Sequence, residues 1–479
     1  MFPKFATKRY VQMIRNEETI CAPATSGGGA IAVIRISGPD SIPVCDRIFF
    51  PSDRKIRFSE QKGYTIVFGE IRSDEEIIDE VLISVFRAPH SYTGEDSVEI
   101  SCHASPYIQQ RIIELLIRGG ARAAKPGEFT QRAFFNGKMD LSQAEAVADL
   151  VASDSRMAHR IAINQLRGSF SDEISMLRAD LLHFASLIEL ELDFGEEDVE
   201  FADRSKLVEI VDKVLNISEK LASSFSLGNA VKEGVPVVIA GNPNTGKSTL
   251  LNLLLKEEKA IVSEIPGTTR DAIEDTVVID GIRFRFTDTA GLRETTDIIE
   301  NLGIRKTHEK IESSSIILLV ADINEGIVSL DDVLKKIRKQ FPVEDKKIVV
   351  VVNKIDTVQN GIRKLIFKAL LKQASEILLF ISAKTGEGIN ELKSVLSRIV
   401  ESDRLNSENV IITNIRHYDA LLKVSESLRR VRSGLDASLP EDLIAIDIRH
   451  AIHYLGEITG QITTDEILSN IFKNFCIGK

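Results

Sequence analysis

Apolar residues change their spacing several times along this chain, and each change predicts a different kind of structure. Over residues 19–117, short runs such as IAVIRISG, YTIVFGEI, EVLISVF and DSVEISCH place β-prone residues between turn signals, the pattern of a strand-rich α+β domain. Over 141–225 the period becomes helical, as in LSQAEAVADLVAS and MLRADLLHFASLIELEL, with few glycines or prolines to interrupt long packed helices. Between 235 and 400, the strand-like runs VPVVIAG, IILLVAD, IVVVVNK and ILLFIS alternate with helical stretches, which predicts a parallel sheet with crossover helices. Helical spacing then resumes over 418–475. The pattern predicts a multidomain α+β chain: an extension over 1–18, an α+β domain over 19–137, a discontinuous α-helical domain over 138–230 and 401–479, and an inserted α/β domain over 231–400. Residues 228–234 are the expected hinge.

The length of 479 residues agrees with about three domains of ~100–200 residues each. A composition of 43% hydrophobic and 27% charged residues is that of a soluble globular protein. The net charge of −11 repels nucleic acid, so an RNA partner needs a local basic patch. Arg416, Lys423, Arg429, Arg430 and Arg432 form one basic run at helical spacing, a candidate tRNA face against the alternative of a solvated helix. Cys21, Cys45, Cys102 and Cys476 are scattered without a CxxC pair, which argues against a zinc site or a disulfide framework and for a reducing, cytoplasmic setting. The longest apolar runs fall far short of the ~20 residues that span a bilayer, and the basic start lacks the apolar core of a signal peptide, so no membrane association is expected.

Chemistry concentrates in the predicted α/β domain. GNPNTGKST, holding Asn244, Thr245, Gly246, Lys247, Ser248 and Thr249, follows a strand and opens a helix, the context of a phosphate loop. Lys247 would reach the β- and γ-phosphates, and the Ser248 hydroxyl would ligate Mg²⁺. DTAG (Asp288, Thr289, Ala290, Gly291) ends a second strand, where Asp288 can hold the metal's water shell and the Gly291 N–H can sense the γ-phosphate; Thr269 of GTTRD offers a second hydroxyl to the metal. NKID (Asn353, Lys354, Asp356) and SAK (Ser382, Ala383, Lys384) follow two further strands and complete a guanine pocket, because the Asp356 carboxylate accepts from guanine N1–H and N2–H₂ while adenine has no matching donors. Together these motifs predict a GTP hydrolase. Leu292 stands where small signalling GTPases place a water-orienting glutamine, so one of Glu294, Asp297 and Glu300 is the candidate replacement, with a solvated acidic loop as the alternative. Asn244 carries an oxygen that can hold a monovalent cation beside the phosphates.

Three other signals lose to plainer readings. The glycines of SGGGAIAVIRISG precede a strand, whereas a dinucleotide-binding loop follows one. His450 and His453 lack a nearby Asp or Cys ligand pattern, and GEEDVEF lacks the alternating spacing of a calcium loop.

The guanine-nucleotide motifs, together with AIAVIRISG, SYTGED, KPGEFTQRAFFNGKMDLSQAEAVADL, TNIRH, LGEITG and the terminal FCIGK, resemble the MnmE (TrmE) family of tRNA-modification GTPases from about residue 19 onward. The resemblance implies a homodimer whose N-terminal domain binds 5-formyl- or 5,10-methylene-tetrahydrofolate. It further implies a heterotetramer with the FAD-dependent flavoprotein MnmG (GidA), which installs a carboxymethylaminomethyl or aminomethyl group at C5 of the tRNA wobble uridine. It implies potassium-dependent pairing of the GTP-binding domains, with K⁺ held by Asn244, Ser263, Ile265 and Thr268, and GTP contacts that extend over Ser263, Glu264, Ile265, Pro266, Gly267, Thr268 and Thr269. Glu300 falls on the water-orienting glutamate, Arg35, Glu99, Lys138 and Lys479 on the folate site, and Cys476 on the reactive cysteine. The chain reads CHASP where the family has a Gly-His-Gly-Gly-like stretch. A regulatory or ribosome-assembly switch is the competing function, and it has no use for a one-carbon donor.

Overall fold

The computed structural model describes residues 18–25, 29–74, 76–193, 204–257, 275–288, 314–324, 346–358, 377–402, 410–437, 439–473, 475 and 478. The first described stretch runs β1 (Ile20–Pro23), β2 (Ile31–Ser37), α1 (Ser41–Asp46), β3 (Phe49–Pro51), β4 (Thr65–Ser73), β5 (Glu76–Phe86), β6 (Ser97–His103), α2 (Pro106–Arg118), β7 (Arg122–Ala123) and α3 (Glu128–Phe135). Five helices follow: α4 (Leu141–Ala152), α5 (Arg156–Leu166), α6 (Ser169–Asp193), α7 (Arg204–Ser223) and α8 (Phe225–Glu233). Then come β8 (Val235–Ala240), α9 (Lys247–Glu257), β9 (Asp275–Ile279), β10 (Ile282–Asp288), β11 (Ile316–Asp322), β12 (Lys347–Asn353), β13 (Ile377–Phe380) and α10 (Ile389–Ser402). The described elements end with α11 (Ile415–Asp436), α12 (Glu441–Thr459) and α13 (Asp465–Lys473).

Two compact units divide the chain, one of residues 1–151, 163–211 and 426–479, the other of 152–162 and 212–425. The first holds a seven-stranded sheet in the order β3-β4-β5-β6-β2-β1-β7, antiparallel except where β1 meets β7. Its strands alternate buried and open positions, so Ile34, Ile36, Ile83, Val85, Val98 and Ile100 form one apolar face. Helix α2 buries Ile112, Leu115 and Leu116 in the same core, with Pro106 at its first position. The strand-rich reading of 19–117 passed over this helix, whose 3.6-residue period lies between stronger strand signals. On the opposite face Ile66, Phe68 and Leu82 stay exposed, and Phe68 registers directly against Leu82. Further along, α6 pairs with α12 through Glu189 and Arg449 at 2.8 Å, and Phe472 and Phe475 pack onto Leu141 and Ala144.

The second unit holds a six-stranded sheet in the order β13-β12-β11-β8-β10-β9, parallel apart from β9. Strands β11 and β12 are buried along nearly their whole length with no alternation, as central strands covered on both faces must be. Strands β9 and β10 turn through Asp280 and Gly281, both at positive φ, the two-residue geometry that an Asp-Gly pair favours.

The expected hinge at 228–234 is helical through Glu233, and the chain turns at Gly234 with φ +94°. Gly228 lies inside α8 because a Cβ there would collide with the Ile412 carbonyl oxygen. Gly228→Ala should therefore lower stability by about 2–3 kcal/mol despite alanine's higher helix propensity. Thermal or denaturant unfolding reads this directly, and a stabilised variant would contradict the close approach. The basic run on α11 proves largely self-neutralised. Lys423 pairs with Asp419, Arg430 with Glu426 and Asp447, and Arg432 with Asp436, which favours the solvated helix over a tRNA face.

Candidate nucleotide-binding site

The loop after β8 lies at the point where the sheet order diverges, with β10 on one side of β8 and β11 on the other, the usual ligand crevice of an open parallel sheet. Gly241 leaves the strand at φ +148° under the Val320 carbonyl, where any side chain would clash. Asn244 holds φ +67°, a left-handed conformation that L-residues other than glycine rarely adopt. Lys247 opens α9 and is buried, its Nζ donating across the loop to Gly241 O at 3.0 Å and Asn242 O at 2.7 Å. The ammonium thus sits inside the loop at a helix N-terminus, where phosphate oxygens are favoured. Ser248 and Thr249 follow in the first turn with exposed side chains.

The guanine-reading residues meet this loop directly. Asn353 ends β12 and is buried; its Nδ2 donates to Thr245 O at 2.8 Å while its Oδ1 accepts from the Ala383 N–H at 2.9 Å. One amide therefore ties together the phosphate loop, NKID and SAK. Gly246 is open enough to permit this, since a Cβ there would strike Asn353 Nδ2. Lys354 donates to Asn244 O at 2.7 Å. The Ser382 hydroxyl donates to Asp356 Oδ1 at 2.7 Å and accepts from Thr385 N–H at 3.2 Å, fixing an exposed carboxylate at the mouth of the pocket. Lys384 lies beside them with an exposed side chain.

Asp288 is the last residue of β10 and registers against Ile239 of β8, one strand from the phosphate loop. Ser263, Glu264, Ile265, Pro266, Gly267, Thr268, Thr269, Thr289, Ala290, Gly291, Leu292, Glu294, Asp297, Glu300, Cys476 and Lys479 lie outside the described residues.

Sequence reasoning gave Asp322 no role. It ends β11 in register with Asn353, and its Oδ2 pairs with Lys354 Nζ at 2.7 Å. Burial pushes its carboxyl up, but the Lys354 ammonium and the backbone and side-chain N–H groups of Asn324 outweigh that and hold it below the usual carboxylate range. The available signal was a lone carboxylate closing the apolar run IILLVAD.

In the first unit, cross-strand register puts Arg35 of β2 opposite Glu99 of β6, joined at 2.9 Å. The guanidinium lies 5.0 Å from the Tyr92 ring centroid and 5.7 Å from that of Phe129, and it donates to Gly478 O at 3.3 Å. The chain's last described residue therefore docks onto this pair. Lys138 is directed to Pro89 O at 3.0 Å instead. Tyr92 belongs to SYTGED and Phe129 to KPGEFTQR, runs whose aromatic contribution the sequence did not reveal. Behind them Arg132 bridges Glu95 and Glu128, and Arg122 also binds Glu128. Burial raises the Glu128 carboxyl, yet the Arg122 bond, the Lys125 N–H and the charge of Arg132 bring it below its ordinary value. Cys21, Cys45 and Cys102 are buried free thiols, and burial pushes Cys21 and Cys102 up to about 11. Among the described residues no group of His, Cys, Asp and Glu forms a metal cluster.

The family model described as GTP-binding protein TrmE N-terminus matches residues 19–138, and the one described as MnmE helical domain matches residues 141–476. A tRNA modification GTPase MnmE of Bacteroides thetaiotaomicron is 52% identical over 97% of this chain and 100% of its own length. Proteins of that name from Bacteroides fragilis (53% identical, over 97% and 100%) and Flavobacterium psychrophilum (52%, over 96% and 99%) are similarly related. Among solved structures, the G domain of the T. maritima FeoB iron transporter aligns with 34% of this chain and 97% of its own, at 28% identity and a TM-score of 0.25. With a family model spanning residues 141–476 and relatives about half identical along nearly the whole length, the chain belongs to the MnmE family of tRNA modification GTPases.

Proposed function

We propose that this protein hydrolyses GTP to drive a tRNA-modifying cycle in the cytoplasm. Acting as a homodimer with the flavoprotein MnmG, it adds a carboxymethylaminomethyl or aminomethyl group at C5 of the wobble uridine. The observation that carries the GTP reading is the double bond-making of Asn353, which joins phosphate loop and guanine motifs into one pocket. Within it Thr245, Gly246, Lys247 and Thr249 bind the phosphates, and Asn353, Lys354, Asp356, Ser382, Ala383 and Lys384 bind the base. Ser248 and Thr269 hold Mg²⁺, with Asp288 on its water shell; the exposed Ser248 side chain at the head of α9 fits that part. Asn244, Ser263, Ile265 and Thr268 take potassium, and Glu300 orients the attacking water in place of the glutamine that Leu292 replaces.

The N-terminal domain, proposed over 19–137, holds the folate one-carbon donor. Arg35 and Glu99, paired at 2.9 Å, would meet the same end of the folate, where Glu99 is an acceptor for the pterin's donors and Arg35 fixes that carboxylate; Lys138 and Lys479 complete the proposed residue set. The supplied one-carbon unit becomes the carbon attached to uridine C5. Cys476 is the reactive cysteine on the family resemblance, whereas Cys21, Cys45 and Cys102 are buried. Exposed Ile66, Phe68 and Leu82 form an apolar sheet face suited to a second copy of the chain. An extension over 1–18, the helical domain (138–230 and 401–479) and the G domain (231–400) make up the proposed remainder, and among the described residues no helix is long and apolar enough to cross a membrane.

One experiment with two arms separates the two sites. Arg35→Gln should weaken 5-formyl-tetrahydrofolate binding by about 10–100-fold with GTP turnover intact, as expected for loss of a charge-assisted hydrogen bond. Lys247→Ala should do the reverse. Folate binding that ignores Arg35→Gln would contradict the assignment.

A further inference from the structure

We propose that Asp322 is a positioning residue for the monovalent-cation site, acting through Lys354 on the backbone of Asn244; this rests on the reading of Asn244 as a potassium ligand. A lysine ammonium on a four-carbon stem has many rotamers, so something must choose one. Here the carboxylate does so: Asp322 Oδ2 lies 2.7 Å from Lys354 Nζ. Asp322 is itself fixed, because its Oδ1 accepts from Asn324 N–H at 2.9 Å and from Asn324 Nδ2 at 3.0 Å. The same Nδ2 donates to Thr357 Oγ1 at 2.8 Å, and that hydroxyl donates to Lys354 O at 2.7 Å. The chain of bonds leaves Lys354 by its side chain and returns to its backbone, a closed ring around one residue.

A second donor of the ammonium goes to Asn244 O at 2.7 Å. Asn244 is the phosphate-loop residue at φ +67°, a left-handed conformation that asparagine tolerates better than most side chains, and the Lys354 bond anchors its carbonyl there. Backbone orientation decides where the Asn244 side-chain oxygen points, so the Lys354 bond governs the proposed cation ligand. Asp322 is in backbone register with Asn353, and its side chain reaches Lys354 both directly at the ammonium and, through Asn324 and Thr357, at the backbone carbonyl. Cation occupancy and guanine binding are thereby coupled, since the base packs along the same Lys354 stem, and such coupling is reciprocal.

The test is GTP turnover by the full-length protein across a KCl series, with NaCl holding ionic strength constant. Asp322→Asn keeps the shape and removes the charge. The half-saturating potassium concentration should rise by about tenfold, with turnover at saturating potassium within about twofold of wild type and the sodium rate unchanged. Asp322→Glu, which retains the charge, should recover part of the shift. A uniform loss of rate with unchanged half-saturation would mark a merely structural role and overturn the proposal, as would no change at all. Should Asp322→Asn fail to fold, Asn324→Ala cuts the ring elsewhere and should produce a smaller shift in the same direction; an unshifted Asn324→Ala overturns the proposal equally. Equal wild-type rates in potassium and sodium would instead sink the reading of Asn244 itself, and with it this tie.

Discussion

Turnover of GTP should be about 10³-fold faster in potassium than in sodium at equal ionic strength, the lower end of what a cation-supplying arginine finger contributes. Two features lead to this expectation. Leu292 cannot hydrogen-bond, so the pocket lacks the side chain that orients water in small signalling GTPases. Asn244 carries a side-chain oxygen within the phosphate loop, at φ +67° and with its backbone carbonyl bound by Lys354 at 2.7 Å. A monovalent ion beside Asn244 would place positive charge between the β- and γ-phosphates as negative charge moves toward the leaving oxygen. Potassium's larger coordination shell suits backbone and amide oxygens, so sodium of matched concentration should not substitute. Steady-state phosphate release in the two salts measures the ratio, and a ratio near one would remove the cation from the account.

Asp356→Asn should weaken GTP binding by at least about 10²-fold and move preference toward xanthosine triphosphate. The carboxylate accepts two guanine N–H groups, and a site built to satisfy donors rejects an analogue that leaves them unpaired. Xanthine presents an oxygen where guanine has its amino group, so an asparagine amide there finds an acceptor. The Ser382 hydroxyl bound to Asp356 Oδ1 makes the effect sharp by keeping the side chain in one rotamer. Competition with a fluorescent nucleotide gives both affinities. Unchanged selectivity would mean that the base is read elsewhere.

The strands flanking the phosphate loop, NKID and SAK were legible because buried parallel strands are uninterrupted apolar runs, and the motifs sit at their carboxyl ends. Pairing across the sheet was not legible. Asn353 reaching Thr245, or Asp322 reaching Lys354, depends on β8, β11 and β12 being neighbours, and spacing along the chain carries no such information. The same holds for Arg35 and Glu99, which register places face to face across 64 residues of sequence. Glycine was misleading at 228–234, since Gly228 answers a tertiary approach by Ile412 rather than a local need for flexibility. Helix α2 escaped notice because a single amphipathic helix among strands gives a weak periodic signal.

The central claim joins this GTPase site to the wobble uridine, and a mass-spectrometric nucleoside profile of bulk tRNA tests it most directly. A strain lacking the gene would be compared with the same strain carrying the wild-type chain or Lys247→Ala. Loss of the C5-aminomethyl-type uridines in the deletion strain is predicted, with recovery from the wild-type chain and none from Lys247→Ala. Wobble uridines that are unchanged in the deletion strain, or that Lys247→Ala restores in full without turnover, would contradict it.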